Sequence, residues 1–143
     1  GGWGLSLTQV AAIRGDMGRA RALADSARVA LEQRTASAPD DAQSHSLLGV
    51  ALAYLGRRTE AIRAGERGRD LLPISRDGED GPYQQHQLAR IYILVGEPDR
   101  ALDQLEPLLK LPYFLSPGWL RIDPTFAPLR GNPRFERLAR DPD

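Results

Sequence analysis

The fold class is indicated most clearly by residues 42–75, which read AQSHSLLGVALAYLGRRTEAIRAGERGRDLLPIS. Apolar residues recur there at helical spacing, and Gly56 interrupts them before a second segment that begins near Glu60 and Ala61. A glycine often ends a helix because it adopts a left-handed backbone at little cost. Pro73 follows the second segment, as a proline commonly does just beyond a helix end. The stretch therefore predicts two helices joined by a tight glycine turn.

The same arrangement occurs three times along the chain. Each unit has a turn glycine after its first helix and an alanine five residues later. The alanine is expected where the two helices of a pair cross, because a larger side chain would push them apart. Both landmarks recur at spacings of 41 and then 40 residues, as Gly15, Gly56 and Gly96 and as Ala20, Ala61 and Ala101. Two landmarks that keep one register predict an all-α chain built from three helix pairs.

The predicted organisation has two parts. Residues 1–111 form three helical repeats, at about 1–41, 42–81 and 82–111, and residues 112–143 form a proline-rich C-terminal cap with short helices.

Within these parts, some elements can be placed more closely. The second helix of the first unit is predicted from Met17 to about Ser37, and residues 75–81 form a polar loop. The cap is predicted to contain one helix near Thr125–Arg130 and another from Pro133 to about Arg140. Six apolar residues are expected to cover the flank of the last repeat, namely Leu120, Ile122, Phe126, Leu129, Phe135 and Leu138.

The middle unit resembles the tetratricopeptide repeat (TPR) family, and the likeness extends over about residues 2–111. The resemblance implies an α-α superhelix, or solenoid, of three helix pairs whose first helices line a concave groove. It also implies that Gly65 stands where the family has a bulky residue, so we expect a loss of packing there. The signature positions are occupied by Leu48, Gly49, Gly56, Ala61, Ile62 and Pro73.

The proline-rich tail is also familiar. The runs at residues 119–124, 128–130 and 133–135 resemble the C-terminus of bacterial multidomain signalling proteins. In those proteins a TPR array follows a Ser/Thr kinase, a nucleotide cyclase or a DNA-binding domain. The resemblance implies that this chain is the C-terminal part of such a signalling or regulatory protein.

The charge balance argues against two classes of partner. Lys and Arg together number 19, as do Asp and Glu, so the formal net charge is zero and no long-range field attracts nucleic acid or an anionic membrane. No apolar run approaches the roughly 18 residues that span a bilayer. We therefore expect no nucleic-acid partner and no membrane insertion. We expect a cytoplasmic location, or an extracytoplasmic one if the parent protein has a membrane span before the repeats.

Residues that could carry chemistry are few. The chain has no cysteine, and neither histidine, His45 or His86, has a further metal ligand three or four residues after it. Nucleophile-elbow, Ser-x-x-Lys and phosphate-loop motifs are missing. The acidic loop at residues 77–81 lacks the ligand spacing of a calcium loop and is interpreted as a solvated connector. We therefore expect no catalytic residue, no cofactor, no metal and no enzyme activity.

Five arginines between residues 57 and 69 could form a phosphate-binding patch. Acidic residues are interleaved with them at Glu60, Glu66 and Asp70, and this pattern favours a solvated surface of paired charges.

The groove that the TPR resemblance implies supplies the candidate binding residues. In the third unit these are Tyr83, His86, Arg90 and Ile93, of which the first three are the main candidates because they are polar or amphipathic. In the second unit they are Gln43, Ser46, Val50 and Tyr54, and in the first they are Gln9 with Leu5 and Ala12. The residues with which TPR proteins hold the C-terminal carboxylate of chaperones are missing, so chaperone-tail binding is not expected.

The predicted function is that of a non-catalytic protein-interaction module that binds a peptide or protein segment in the groove. The alternative is an architectural role, in which the repeats form a homodimer or pack against an effector domain. A homodimer would use the first helix, where Trp3, Leu5 and Leu7 are expected to be uncovered.

Overall fold

The chain is helical throughout the part that the structure describes. The computed structural model describes residues 2–140, with side chains from residue 4 onwards. In that range six longer helices come first and three short ones follow. Their bounds are α1 Gly2–Ile13, α2 Met17–Ser37, α3 Ala42–Tyr54, α4 Arg58–Leu71, α5 Gly81–Leu94, α6 Pro98–Leu108, α7 Pro117–Ile122, a 3₁₀ helix Pro124–Leu129 and α8 Pro133–Leu138. The all-α prediction is confirmed, and α2 has the predicted bounds.

The three turn glycines adopt the predicted left-handed backbone, with φ of 80° at Gly15, 75° at Gly56 and 80° at Gly96. The same backbone hydrogen bond closes all three helix ends. The N–H of the residue after each glycine donates to the carbonyl oxygen five residues earlier, at 2.9, 3.0 and 2.8 Å respectively. Nothing lies within 4 Å of the place that a Cβ would occupy, so glycine is required here by backbone conformation and not by crowding.

The long helices pack chiefly on their neighbours in the chain. Helix α1 packs on α2, α3 on α4 and α5 on α6, while α2 packs on α3 and α4 on α5. Helix α3 also contacts both α1 and α5, so these three helices lie side by side. All of the predicted groove residues lie on these three helices.

Small residues allow α3 and α4 to approach closely. A Cβ built on Gly49 would lie 2.9 Å from the Ala61 carbonyl oxygen and 2.9 Å from the Gly65 backbone nitrogen. Ala61 itself is fully buried. Ala61 therefore lies at a point where α3 and α4 approach closely, as predicted for this alanine.

The expected loss of packing at Gly65 is wrong. A Cβ at Gly65 would lie 2.6 Å from Cδ1 of Ile91 and 3.0 Å from Cδ1 of Leu88, because side chains of α5 fill that space. A Cβ at Gly68 would similarly lie 2.9 Å from the backbone nitrogen of Ser46 on α3. The two glycines therefore allow α4 to pack closely on α3 and α5.

Residues 112–140, here called the C-terminal segment, pack on α5 and α6. Four of the six predicted covering residues, Leu120, Phe126, Leu129 and Phe135, are buried, and Leu138 is partly buried. Helix α8 is tied to α6 by Arg134, which pairs with Asp103 at 2.8 Å and Glu106 at 2.7 Å.

The structure differs from the expectations for this segment in two respects. The first is helix α7, which was not predicted. It begins at Pro117, and the Ser116 hydroxyl caps it by accepting a 3.1 Å hydrogen bond from the Trp119 N–H. Ile122 is 70% exposed, because residues two apart on a helix point to opposite sides and Leu120 occupies the inner side.

The first helix is only partly uncovered. Leu5 is buried, which contradicts the expectation for this residue, because it packs with Leu31 of α2 in the core. Leu7, Val10 and Ile13 are exposed, as is Met17 at the start of α2. The prediction for the Trp3 side chain falls outside the described residues.

Candidate functional site

The eleven predicted groove residues do not form one surface. Ser46 and Val50 are fully buried, and the Ser46 hydroxyl donates a 2.6 Å hydrogen bond to the Gln84 side-chain oxygen on α5. These two residues therefore contribute to packing between helices.

Five predicted residues, on α1, α3 and α5, line a single cleft of about 230 Å³. They are Gln9, Ala12, Tyr54, Arg90 and Ile93, and they are joined by Ile13 and Leu94. The opposite wall belongs to the 3₁₀ helix and consists of Pro124, Thr125, Ala127 and Pro128. Since most of this lining is aliphatic or proline, we call it the apolar cleft.

A hydrogen bond closes one side of the apolar cleft. The Gln9 side-chain amide donates to the Thr125 hydroxyl at 2.8 Å, across 116 positions of sequence. Thr125 is held in place by Asp123, whose carboxylate caps the 3₁₀ helix by accepting a 2.9 Å hydrogen bond from the Thr125 N–H. The C-terminal segment therefore reaches past α5 to the first helix of the molecule.

Arg90 supplies the positive charge of the apolar cleft. Its guanidinium donates a 3.1 Å hydrogen bond to the Tyr54 hydroxyl and lies 5.7 Å from the centre of the Tyr54 ring. Arg90 is itself partly buried. Within residues 4–140 no carboxylate forms an ion pair with it, unlike Arg28 or Arg134.

His86 lies beneath the C-terminal segment and not in an open groove. Its Nδ1 is 3.0 Å from the Tyr113 hydroxyl, and its ring stacks on Phe126 with 6.2 Å between ring centres. The Phe114 ring centre lies 5.5 Å away. His86, which was predicted to contact a ligand, thus contacts part of its own chain.

The surroundings of His86 keep its imidazole neutral. Burial, together with the charge of Arg90, lowers the pKa of His86 from 6.5 to about 4, and the charge of Asp123 partly opposes this shift. Burial also raises the pKa of Tyr113 to about 12. The hydrogen bond between the two side chains therefore joins neutral groups at pH 7.

Gln43 and Tyr83 lie at another site, near the N-terminal ends of α3 and α5. They line an open cavity of about 540 Å³ together with Asp40, Asp41 and Asp80. The Asp41 carboxylate accepts a hydrogen bond from the Ser44 hydroxyl, and Asp40 lies 3.9 Å from Arg67. This cavity is polar and acidic, and it differs in chemistry from the apolar cleft.

Several arginines of α4 and the preceding turn form ion pairs, but only one of these pairs, Arg57 with Glu60, has the predicted helical spacing. Arg57 pairs with Glu60 at 2.9 Å, Arg69 pairs with its neighbour Asp70 at 3.0 Å, and Arg58 pairs with Glu97, which directly precedes α6. These contacts support the interpretation of a charged, solvated surface.

The two histidines have separate partners. A ring nitrogen of His45 lies 2.7 Å from the carbonyl oxygen of Pro39, whereas His86 binds Tyr113. In the part of the chain that the structure describes, no group of three or more His, Asp or Glu side chains could hold a metal ion. None of the helices in residues 2–140 has both the length and the apolar character that crossing a bilayer requires.

Residues of the C-terminal segment contribute to the site although the sequence did not assign them to it, including Pro124, Ala127 and Pro128 in the wall of the cleft. Tyr113, Phe114 and Phe126 surround His86, and Thr125 binds Gln9. The one local signal was the alternation of aromatic residues and prolines between residues 112 and 128.

Comparison of the chain with protein-family models, with curated proteins and with solved structures finds no match in any of the three.

Proposed function

We propose that this chain is a TPR-type, non-catalytic interaction module of a larger bacterial signalling or regulatory protein. Its three helix pairs form a short superhelix, and it binds a segment of a partner protein in the apolar cleft. The sequence resemblance to TPR proteins and the repeated helix-pair geometry support this proposal.

The observation that carries it is the composition of the apolar cleft. Gln9, Arg90 and Ile93 were chosen from repeat position and Tyr54 as a neighbour of such positions, and side chains from three different helices converge there. Partly open, mainly apolar cavities with a few polar groups are usual binding sites for peptides and small ligands.

The C-terminal segment limits what can bind. Because Pro124, Thr125 and Pro128 form one wall, a partner does not have the whole face of α1, α3 and α5 available. At about 230 Å³ the cleft suits one or two side chains of an extended segment rather than an entire helix.

The test uses a displayed library of nine-residue peptides and a variant that fills the cleft. Ala12 lines the apolar cleft, so Ala12→Phe is expected to weaken binding of the selected peptides by about tenfold or more. Ala22 is exposed on α2, and Ala22→Phe is the matched control that should keep wild-type affinity. The proposal is wrong if the wild type selects no peptide, or if Ala12→Phe binds the selected peptides unchanged.

A second candidate function, homodimerisation, is favoured by the exposed apolar face of α1. Leu7, Val10 and Ile13 follow one another at three-residue intervals and are 37%, 45% and 59% exposed. Neighbouring apolar side chains of this kind often mark an interface.

Light scattering across a concentration series distinguishes this candidate. A homodimer predicts twice the 15.7 kDa monomer mass and its loss in Val10→Asp. Val29→Asp is the matched control, because Val29 is also 45% exposed but lies on α2. A wild-type protein that stays monomeric at high concentration excludes the homodimer.

A further inference from the structure

Arg90 helps to identify the ligand, because the protein satisfies only part of its hydrogen-bonding capacity. A guanidinium has five N–H donors, and the structure gives Arg90 one acceptor, the Tyr54 hydroxyl at 3.1 Å. The side chain is also partly buried beside an aliphatic lining. A partly dehydrated cation that forms no ion pair with a carboxylate of the described residues is a favourable position for a ligand carboxylate.

The rest of the apolar cleft calls for an apolar group. Ala12, Ile93 and Leu94 form its helical side and Pro128 lies opposite. Liquid water occupies roughly 30 Å³ per molecule. A volume of about 230 Å³ is therefore enough for one large aliphatic or aromatic side chain.

The charge pattern favours a single carboxylate over a phosphate. Arg90 is the one basic residue among those that line the cleft, and no acidic residue lines it. A planar guanidinium matches a carboxylate with two parallel hydrogen bonds, whereas phosphate sites usually gather several cations or a row of backbone N–H groups.

The carboxylate is that of a side chain and not of a chain terminus. Captured C-terminal carboxylates are commonly held by clusters of backbone N–H groups. Here the lining residues lie on helices, whose backbone N–H groups are bonded internally. Two of the lining residues, Pro124 and Pro128, have no N–H to offer.

We propose that the apolar cleft binds a partner segment in which a large apolar residue lies within two positions of an Asp or Glu. The apolar side chain enters the cleft and the acidic side chain pairs with Arg90. This inference rests on the proposed function, since it names the ligand of the same cleft.

The experiment measures affinities of nine-residue peptides whose termini are blocked by acetyl and amide groups. Each has a central Leu or Phe followed by Asp or Glu, and its partner peptide carries Asn or Gln instead. For the wild type, replacing the acid is expected to weaken binding about tenfold or more. For Arg90→Gln the same replacement should change binding by less than about twofold.

Arg100→Gln is the matched control. Arg100 also lies over a tyrosine, 4.6 Å from the centre of the Tyr92 ring, but it does not line the cleft. This variant should keep the wild-type preference for acidic peptides. The acid-to-amide change in the peptide tests the pairing even if Arg90→Gln does not fold, because it leaves the protein unaltered.

The other outcomes separate this inference from the proposed function. The inference is overturned if wild-type binding depends on the apolar residue but not on the acid. It is also overturned if the preference for the acid survives in Arg90→Gln. In both cases the proposal of an interaction module is unaffected. Binding only of peptides with a free C-terminal carboxylate also overturns it. Failure of every peptide to bind, with or without the acid, overturns both.

Discussion

Helices α1 and α5 differ in how far they bury equivalent positions. Val10 in α1 and Ile91 in α5 each stand five residues before a turn glycine, at Gly15 and Gly96. Val10 is 45% exposed, whereas Ile91 is fully buried. The same position of the helix pair is thus surface at one end and core at the other.

What lies alongside each helix explains the difference. Ile91 fits against Gly49 and Gly65, because those glycines leave room for its side chain between α3 and α4. On the other side of α5, the C-terminal segment adds Phe126 and Leu129 to a second core that includes Leu88 and Tyr92. Among the described residues nothing comparable covers Val10. Burial therefore depends on which neighbour is present and not on the repeat position alone.

The largest test of this contrast concerns the covering segment itself. Phe126 is fully buried between His86 and Phe135. Phe126→Ala should lower the free energy of unfolding by about 3–5 kcal/mol, because it removes a large buried ring and leaves a cavity. Urea denaturation followed by circular dichroism measures this. Phe114→Ala is the control, since Phe114 is 54% exposed, and its loss should be well under half as large.

An equal effect of the two Phe substitutions would mean that the C-terminal segment does not stabilise the fold through Phe126. The slope of the urea transition should be checked as well, because a segment that detaches before global unfolding would lower it.

The second test compares the equivalent positions directly. Ile91→Ala should cost about 2–5 kcal/mol, because it empties the space above Gly65. Val10→Ala should cost less than about 0.5 kcal/mol, since nearly half of the Val10 side chain is in solvent already. The same denaturation experiment applies to both variants. A large loss for Val10→Ala would show that α1 is covered in solution, as in a homodimer.

The helix pairs could be predicted from sequence because their signals are local. A glycine that must adopt positive φ is visible in the sequence at Gly15, Gly56 and Gly96, and the structure gives each of them φ between 75° and 80°. The alanine at position 61 is similar, since a helix crossing requires a small residue wherever it occurs. Such constraints act within one helix pair and need no knowledge of distant residues.

The candidate site could be predicted only in part, because much of it depends on distant contacts. The bond between Gln9 and Thr125 joins residues 116 positions apart, and nothing near either residue indicates it. Gly65 was misjudged for the same reason, since the space it leaves is filled by Ile91 from another helix pair. His86 was assigned to an open groove because the path of the C-terminal segment follows from packing and not from repeat position.

The third and smallest test addresses the attachment of the C-terminal segment to α5. Burial holds the pKa of His86 at about 4 in the folded chain, against 6.5 when it is exposed, with Arg90 adding to the shift and Asp123 opposing it. The unfolded chain therefore binds a proton between these two values while the folded chain does not, so stability decreases as the pH falls from 6.5 to 4. At pH 5 the His86 contribution should be a loss of about 2 kcal/mol relative to pH 7.5.

The measurement is the difference in free energy of unfolding between pH 7.5 and pH 5, determined for the wild type and for His86→Gln. The variant cannot bind the extra proton, so it should lose about 2 kcal/mol less than the wild type over this interval, whatever the carboxylates contribute in both. His45→Gln is the matched control, because it removes the other histidine and leaves the His86 contribution in place. Equal losses in wild type and His86→Gln would mean that His86 is already accessible to protons at pH 7, and that the C-terminal segment covers it only loosely.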